Sequence, residues 1–258
     1  MMPTLFVSHG SPMVLLQDMP AHHFLATVAA SLSRPKAIVV ATAHWLTRAP
    51  AVGGAAMPKM IYDFGPFDDR LFTQQYPAPG APELAERIAD SIGSAGLPVG
   101  IDPNRGYDHG VWIPLKLMYP DADIPVVSLA VQPQYGPAHH FALGRALEGL
   151  RNEDILVLGS GSFTHDLRRY FGHAEEAAAP KDVVAFSDWM DRALTTGDTQ
   201  SLLTYRTSAP FAVENHPTDE HLLPIFTAMG AAGDGAKGAR VHESADHGVL
   251  RMDAYTFA

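Results

Sequence analysis

Four short runs of apolar, largely β-branched residues set the limits on what this chain can fold into: Thr4–Ser8, Ala37–Ala43, Ile124–Val131 and Ile155–Leu158. Each is nearly continuous in its apolarity, the pattern of a strand covered on both faces. Between them lie stretches with helical periodicity: Ala21–Ser33, Pro82–Ala95, Pro137–Leu150 and Lys181–Thr195. Pro82 suits a first helical position, and Gly96 suits the position just past a helix end. This alternation predicts one α/β domain over residues 1–258, with a mostly parallel central sheet flanked by helices. Ala239–Glu243 and Leu250–Phe257 read as one or two late strands at an antiparallel edge, and Gly230–Gly238 as a surface loop.

In open α/β sheets, ligands bind outside the carboxyl ends of the strands, so the residues that follow each run matter most. His9 ends the first run and His44 the second, while His165 follows the last through a Gly159-Ser160-Gly161-Ser162 loop. Imidazoles gathered at that rim can hold a metal or move protons. A lone histidine there would read as a strand cap; two together favour function. His109, in Tyr107-Asp108-His109-Gly110-Val111-Trp112, fits a substrate contact or a turn histidine paired to Asp108 equally well. In Asn215-His216-Pro217-Thr218-Asp219-Glu220-His221, Thr218 reads as a helix N-cap, with Asp219, Glu220 and His221 in the first turn. Glu220 is a carboxylate alternative to His221, because non-haem Fe(II) oxygenases often use two histidines and one carboxylate. His22, His23, His139, His140, His173 and His242 lie in polar or helical-surface contexts and read as structural or solvated. His247 is undecided.

Composition removes several classes of function. The chain has 258 residues, 47% hydrophobic and 18% charged, which is globular rather than disordered. Its formal charge of −10 argues against nucleic-acid and anionic-membrane surfaces. Without cysteine there is no disulfide, thiolate zinc site, iron–sulfur cluster or cysteine nucleophile. There is no HExxH helix, P-loop, dinucleotide fingerprint or nucleophile elbow. No apolar run reaches the length of a membrane span and no secretory leader is apparent, so a cytoplasmic protein is expected.

The ordered motifs Ser8-His9-Gly10-Ser11-Pro12, Ala43-His44-Trp45, Tyr62-Asp63-Phe64-Gly65, Tyr76-Pro77-Ala78-Pro79-Gly80, Asp108-His109-Gly110, Gly161-Ser162-Phe163-Thr164-His165 and His216-Pro217-Thr218-Asp219-Glu220-His221 span nearly the whole chain. In order and spacing they resemble the DODA-type (4,5-DOPA dioxygenase) extradiol ring-cleavage enzymes, within the class III extradiol dioxygenases. The resemblance implies one divalent metal on His9, His44 and His221, with His165 as acid/base or as a fourth ligand, and His109 in the substrate pocket. Related enzymes use a glutamate as third ligand, and here Glu220 stands beside His221. The implied metal is Fe(II) for turnover, with Zn(II) able to occupy the same imidazoles. The implied partners are a catechol and O2, for a monomer or small homo-oligomer. Trp45, Phe64, Trp112 and His216 are candidates for the substrate side of the pocket, although tryptophan is more often core. The alternatives are a zinc hydrolase on the same scaffold and a non-catalytic metal-binding relative. No carboxylate base at a recognisable hydrolase spacing supports the former, and retention of His165 weighs against the latter.

Overall fold

A computed structural model describes residues 1–174 and 176–258. Its strands are β1 (Thr4–Ser8), β2 (Ala37–Leu46), β3 (Ala51–Gly53), β4 (Gly100–Asp102), β5 (Val126–Val131), β6 (Ile155–Gly161), β7 (Gly238–His242), β8 (Ala245–Asp246), β9 (Leu250–Arg251) and β10 (Ala254–Phe257). Its α-helices are α1 (Pro20–Val28), α2 (Pro82–Ser94), α3 (His109–Met118), α4 (Gly136–Ala146), α5 (Leu167–Tyr170), α6 (Lys181–Thr196), α7 (Thr199–Leu203), α8 (Tyr205–Ser208), α9 (Ala212–Asn215) and α10 (Leu223–Ala232). Eight strands form one sheet in the order β4-β3-β5-β2-β6-β1-β10-β7. Its centre, β5-β2-β6-β1, is parallel throughout, and β10 and β7 add an antiparallel edge beside β1. Strands β8 and β9 form a separate ribbon. The α/β architecture with a mostly parallel sheet is therefore as the residue pattern predicts.

Period-two alternation explains why the central runs are apolar throughout. In β2, Ile38 and Val40 enter one core with Leu25 and Trp112, under α1 and α3. Ala37, Val39 and Ala41 enter another with Leu84, Ile88 and Leu143, under α2 and α4. Each fully buried Val, Leu or Ile side chain contributes about 1.5–3 kcal/mol.

Four local expectations need correction. Strand β6 does not end at Leu158: Gly159, Ser160 and Gly161 continue it, because β1 and β2 pair with it on both sides. The ladder from β2 to β6 ends at Thr42, and His44 lies in the irregular stretch before β2 meets β5 again at Leu46. Nor does a helix begin at Thr218. The helix starts at Leu223, with Pro224 in its first turn, where a missing N–H costs nothing. Thr218 instead donates its hydroxyl to Glu220 at 2.9 Å, and the span Gly230–Gly238 begins as the end of α10 rather than as loop. Among the described residues, no helix is long and apolar enough to cross a membrane.

Candidate metal centre

The three proposed ligands reach the sheet rim by separate routes. His9 follows β1 directly, and its N–H donates to Gly161 O at 2.9 Å, as if the ladder ran one residue further. Gly10 then turns the chain at φ 65°, a conformation that favours glycine. His44 extends from β2. His221 arrives over the opposite face, in the turn before α10. That turn lies directly on β6: Ser162 N–H donates to His221 O at 2.8 Å, and a Cβ on Gly161 would stand 2.0 Å from the same oxygen. Only glycine lets the backbones approach so closely.

The Nδ1 atom of each imidazole faces an acceptor. His9 Nδ1 lies 3.0 Å from Ser160 Oγ, and that hydroxyl spends its own proton on Gly110 O, so it accepts from the ring. His44 Nδ1 lies 3.3 Å from Asp63 Oδ2. His221 Nδ1 lies 3.1 Å from Glu220 Oε1. A carboxylate only accepts, so both rings carry their proton on Nδ1. In all three the Nε2 lone pair is therefore left bare. These atoms converge, with His9 to His44 at 3.0 Å and His44 to His221 at 3.3 Å.

Three lone pairs turned on one another have no proton to share. Imidazole nitrogens about 2.1 Å from one metal ion lie about 3.0–3.4 Å apart, so the spacing fits a cation and the donor set suits a divalent transition metal. Protons do not compete for the site. Burial, reinforced by the neighbouring imidazoles, pushes His9 and His221 well below the usual histidine range. Burial and His109 do the same to His44, against the pull of Asp63.

Glu220, the carboxylate alternative, thus stands behind His221 and orients it. Asp63 does this for two rings: Oδ1 accepts from His109 N–H at 2.9 Å and from His109 Nδ1 at 3.0 Å, while Oδ2 faces His44. Burial raises its pKa, but the His109 hydrogen bonds outweigh that and bring it down to about 2. His109 is therefore not paired to Asp108, which Arg105 and Thr42 occupy instead. The Asp63 carboxylate only accepts, so His109 Nδ1 carries a proton and Nε2 is the ring nitrogen left without that partner. His165 stacks on His221 with ring centroids 3.5 Å apart and planes at 11°. Its N–H is held by Asn215 O at 2.8 Å. Burial, then His109, lower its pKa to about 4 despite Asp166.

A cavity of about 500 Å³ opens beside these rings and is lined by His9, His44, His109, His165 and His221. Phe64 also lines it; the other substrate-side candidates do not. Trp45 is buried beneath the Arg105 guanidinium, 4.8 Å from its ring. Trp112 is core, its indole N–H donating to Ile61 O, and it backs Phe64 at 6.3 Å. His216 is buried against Phe186 and donates from Nε2 to Phe163 O at 3.0 Å. Nothing in the sequence alone marks Asp63 and Ser160 for these orienting roles. Asp63 carried one signal, an acid between aromatics before a glycine in Tyr62-Asp63-Phe64-Gly65.

Residues 3–254 match the family described as the catalytic LigB subunit of aromatic ring-opening dioxygenase. A 4,5-DOPA dioxygenase extradiol of Beta vulgaris is 42% identical over 98% of this chain and 96% of its own length. The Escherichia coli K12 protein of the same name is 39% identical over 89% of this chain and 85% of its own. The crystal structure of an uncharacterized Escherichia coli K12 protein superposes with a TM-score of 0.83 at 34% identity, covering 100% of both chains. The chain belongs to the LigB family of aromatic ring-opening dioxygenases. Within that family it is an extradiol ring-cleaving dioxygenase.

Proposed function

We propose that His9, His44 and His221 hold one divalent metal, Fe(II) for turnover, and that the substrate is a catechol cleaved with O2 beside its two hydroxyl carbons. The observation that carries this reading is the convergence of three Nε2 atoms whose Nδ1 atoms each face an acceptor. Imidazoles held from behind in this way, His44 and His221 by a carboxylate and His9 by a serine hydroxyl, make ordered ligands. When bound, the metal supplies a place where catechol oxygens and O2 meet, and a path for electrons between them.

The protein's own groups handle protons and position. His165 is neutral at pH 7, so a ring nitrogen can take a catechol proton and return it to the oxygen that leaves as the O–O bond breaks. His109 offers Nε2 for a hydrogen bond with a substrate hydroxyl, with Asp63 holding its Nδ1 and so its orientation. Phe64 gives the ring an apolar wall. Both atoms of O2 end in the opened product.

Anaerobic Fe(II) loading followed by oxygen-electrode assays with catechol, DOPA, caffeate and protocatechuate tests the reading. Oxygen uptake matched by a yellow ring-fission product is expected, with no uptake by protein loaded with zinc. Absence of uptake with every catechol, together with ester or amide hydrolysis by the zinc form, would overturn it.

A further inference from the structure

The cavity is chemically lopsided. Imidazoles and the Asp63 carboxylate occupy its floor, Ser11, Ser162 and Tyr170 add uncharged hydroxyls, and Phe64, Phe67, Leu167, Phe171 and Leu250 supply hydrocarbon. Neither lysine nor arginine is among its described lining residues. The arginines nearest in sequence are committed elsewhere: Arg168 reaches Asp166 at 3.0 Å and Arg169 reaches Asp182 at 2.6 Å. At the mouth, Leu167 is 43% exposed and Phe171 75%, so large apolar side chains stand there in water. The volume of about 500 Å³ falls in the range of pockets that enclose ligands well beyond a single ring.

These features act together on any substituent the aromatic ring carries. An anionic substituent, held away from a metal that the catechol oxygens occupy, would be stripped of water against phenyl and isobutyl surface, with neither lysine nor arginine in the described lining to meet it and a carboxylate on the floor. An uncharged apolar group would cover Leu167 and Phe171, and each square ångström so removed from water favours binding. We infer that this site selects catechols whose substituent is uncharged and apolar, with Phe64, Phe67, Leu167, Phe171 and Leu250 as the surface that sets the preference. The inference rests on the catechol-cleavage reading above and narrows it. DOPA, whose side chain carries a carboxylate and an ammonium, then falls on the disfavoured side.

The test is a pair of compounds differing in charge but little in shape: 3-(3,4-dihydroxyphenyl)propionate and its methyl ester. With the Fe(II) protein, kcat/KM for the ester should exceed that for the acid by about tenfold or more. Calorimetric titration of the zinc-loaded protein with the same pair reads affinity without turnover, and the ester should again bind about tenfold tighter. Phe171→Arg, at an exposed position, should shrink or invert both ratios by improving the acid. An acid that matches or beats its ester overturns the inference, as does an acid preference that Arg168→Ala abolishes. The two claims separate: if no catechol, substituted or not, is cleaved, the ring-cleavage reading fails, while the binding ratio of ester to acid still decides the preference. If neither compound binds, the inference fails as well.

Discussion

His9 and His221 at the rim, and His140 and His216 in the interior, are nearly indistinguishable by burial: 2%, 6%, 0% and 0% exposed. Burial is also the leading cause of depressed basicity in all four. What separates them is the direction of their nitrogens. His140 spends both, donating from Nδ1 to Gly136 O and accepting the Gln132 N–H at Nε2. His216 gives one nitrogen to Phe163 O and buries the other among aromatic rings. The rim imidazoles spend only Nδ1 and aim Nε2 at one another. Burial and a low pKa therefore do not mark a functional histidine; a cluster of uncommitted lone pairs does.

The sharpest way to break this contrast is to remove one ring from each group. His44→Ala should lose metal by more than the roughly 100-fold that outer partners cost, and ring cleavage should fall to background. His140→Ala should keep a full complement of metal by elemental analysis but lose about 1–3 kcal/mol in urea unfolding, because the Gln132 N–H is left unpaired. Metal loss in the second variant would erase the distinction.

Next in size, His165→Ala should retain metal while turnover falls by about 10²–10⁴, the range for a lost proton carrier. If elemental analysis finds the site empty, His165 is a ligand instead. Asp63→Asn should cost a further step less, about 10–100-fold in metal affinity or activity, with unchanged circular dichroism. The amide can still accept from one ring but no longer from both with full charge.

A last effect, on stability rather than on metal or turnover, concerns acid. His140 titrates at about 4 and His216 at about 3 in the folded protein, against a reference value of 6.5. Between those limits the unfolded chain binds protons that the folded one refuses, so stability falls as pH drops below 6.5 and the loss levels off near the folded values. His140 alone accounts for a loss of about 3 kcal/mol at most. Urea midpoints measured from pH 7 to pH 4 should decline, and His216→Gln should flatten the decline. A midpoint independent of pH would show that these rings are not held neutral.

Much of the scaffold was legible because its signals are local. The runs at Thr4, Ala37 and Ile155 appear as β1, β2 and β6, since double-sided burial writes itself into consecutive residues. The helix beginning at Pro82 matched its proline for the same reason. The end of β6 is hidden in the sequence because Gly159 and Gly161 look like loop until the strands on either side are known. The orienting groups were hidden more deeply. Ser160 lies 151 residues from His9, and Asp63 46 residues from His109. No periodicity connects such partners, and only folding brings them together. Trp45 and Trp112 sit beside motif histidines in sequence yet point into packing, because neighbours along a chain rarely share a direction.

The strand order has a consequence for how the protein is made. β1 and β2, which carry His9 and His44, do not pair with each other; β6 lies between them and fixes their spacing. A nascent chain that has not yet reached Ile155 thus contains two of the three imidazoles but has no means of setting the distance between them. The third, His221, emerges later still and is seated on β6 itself. Capture of a metal by this trio, as proposed above, would wait until the central strand is inserted between its two neighbours.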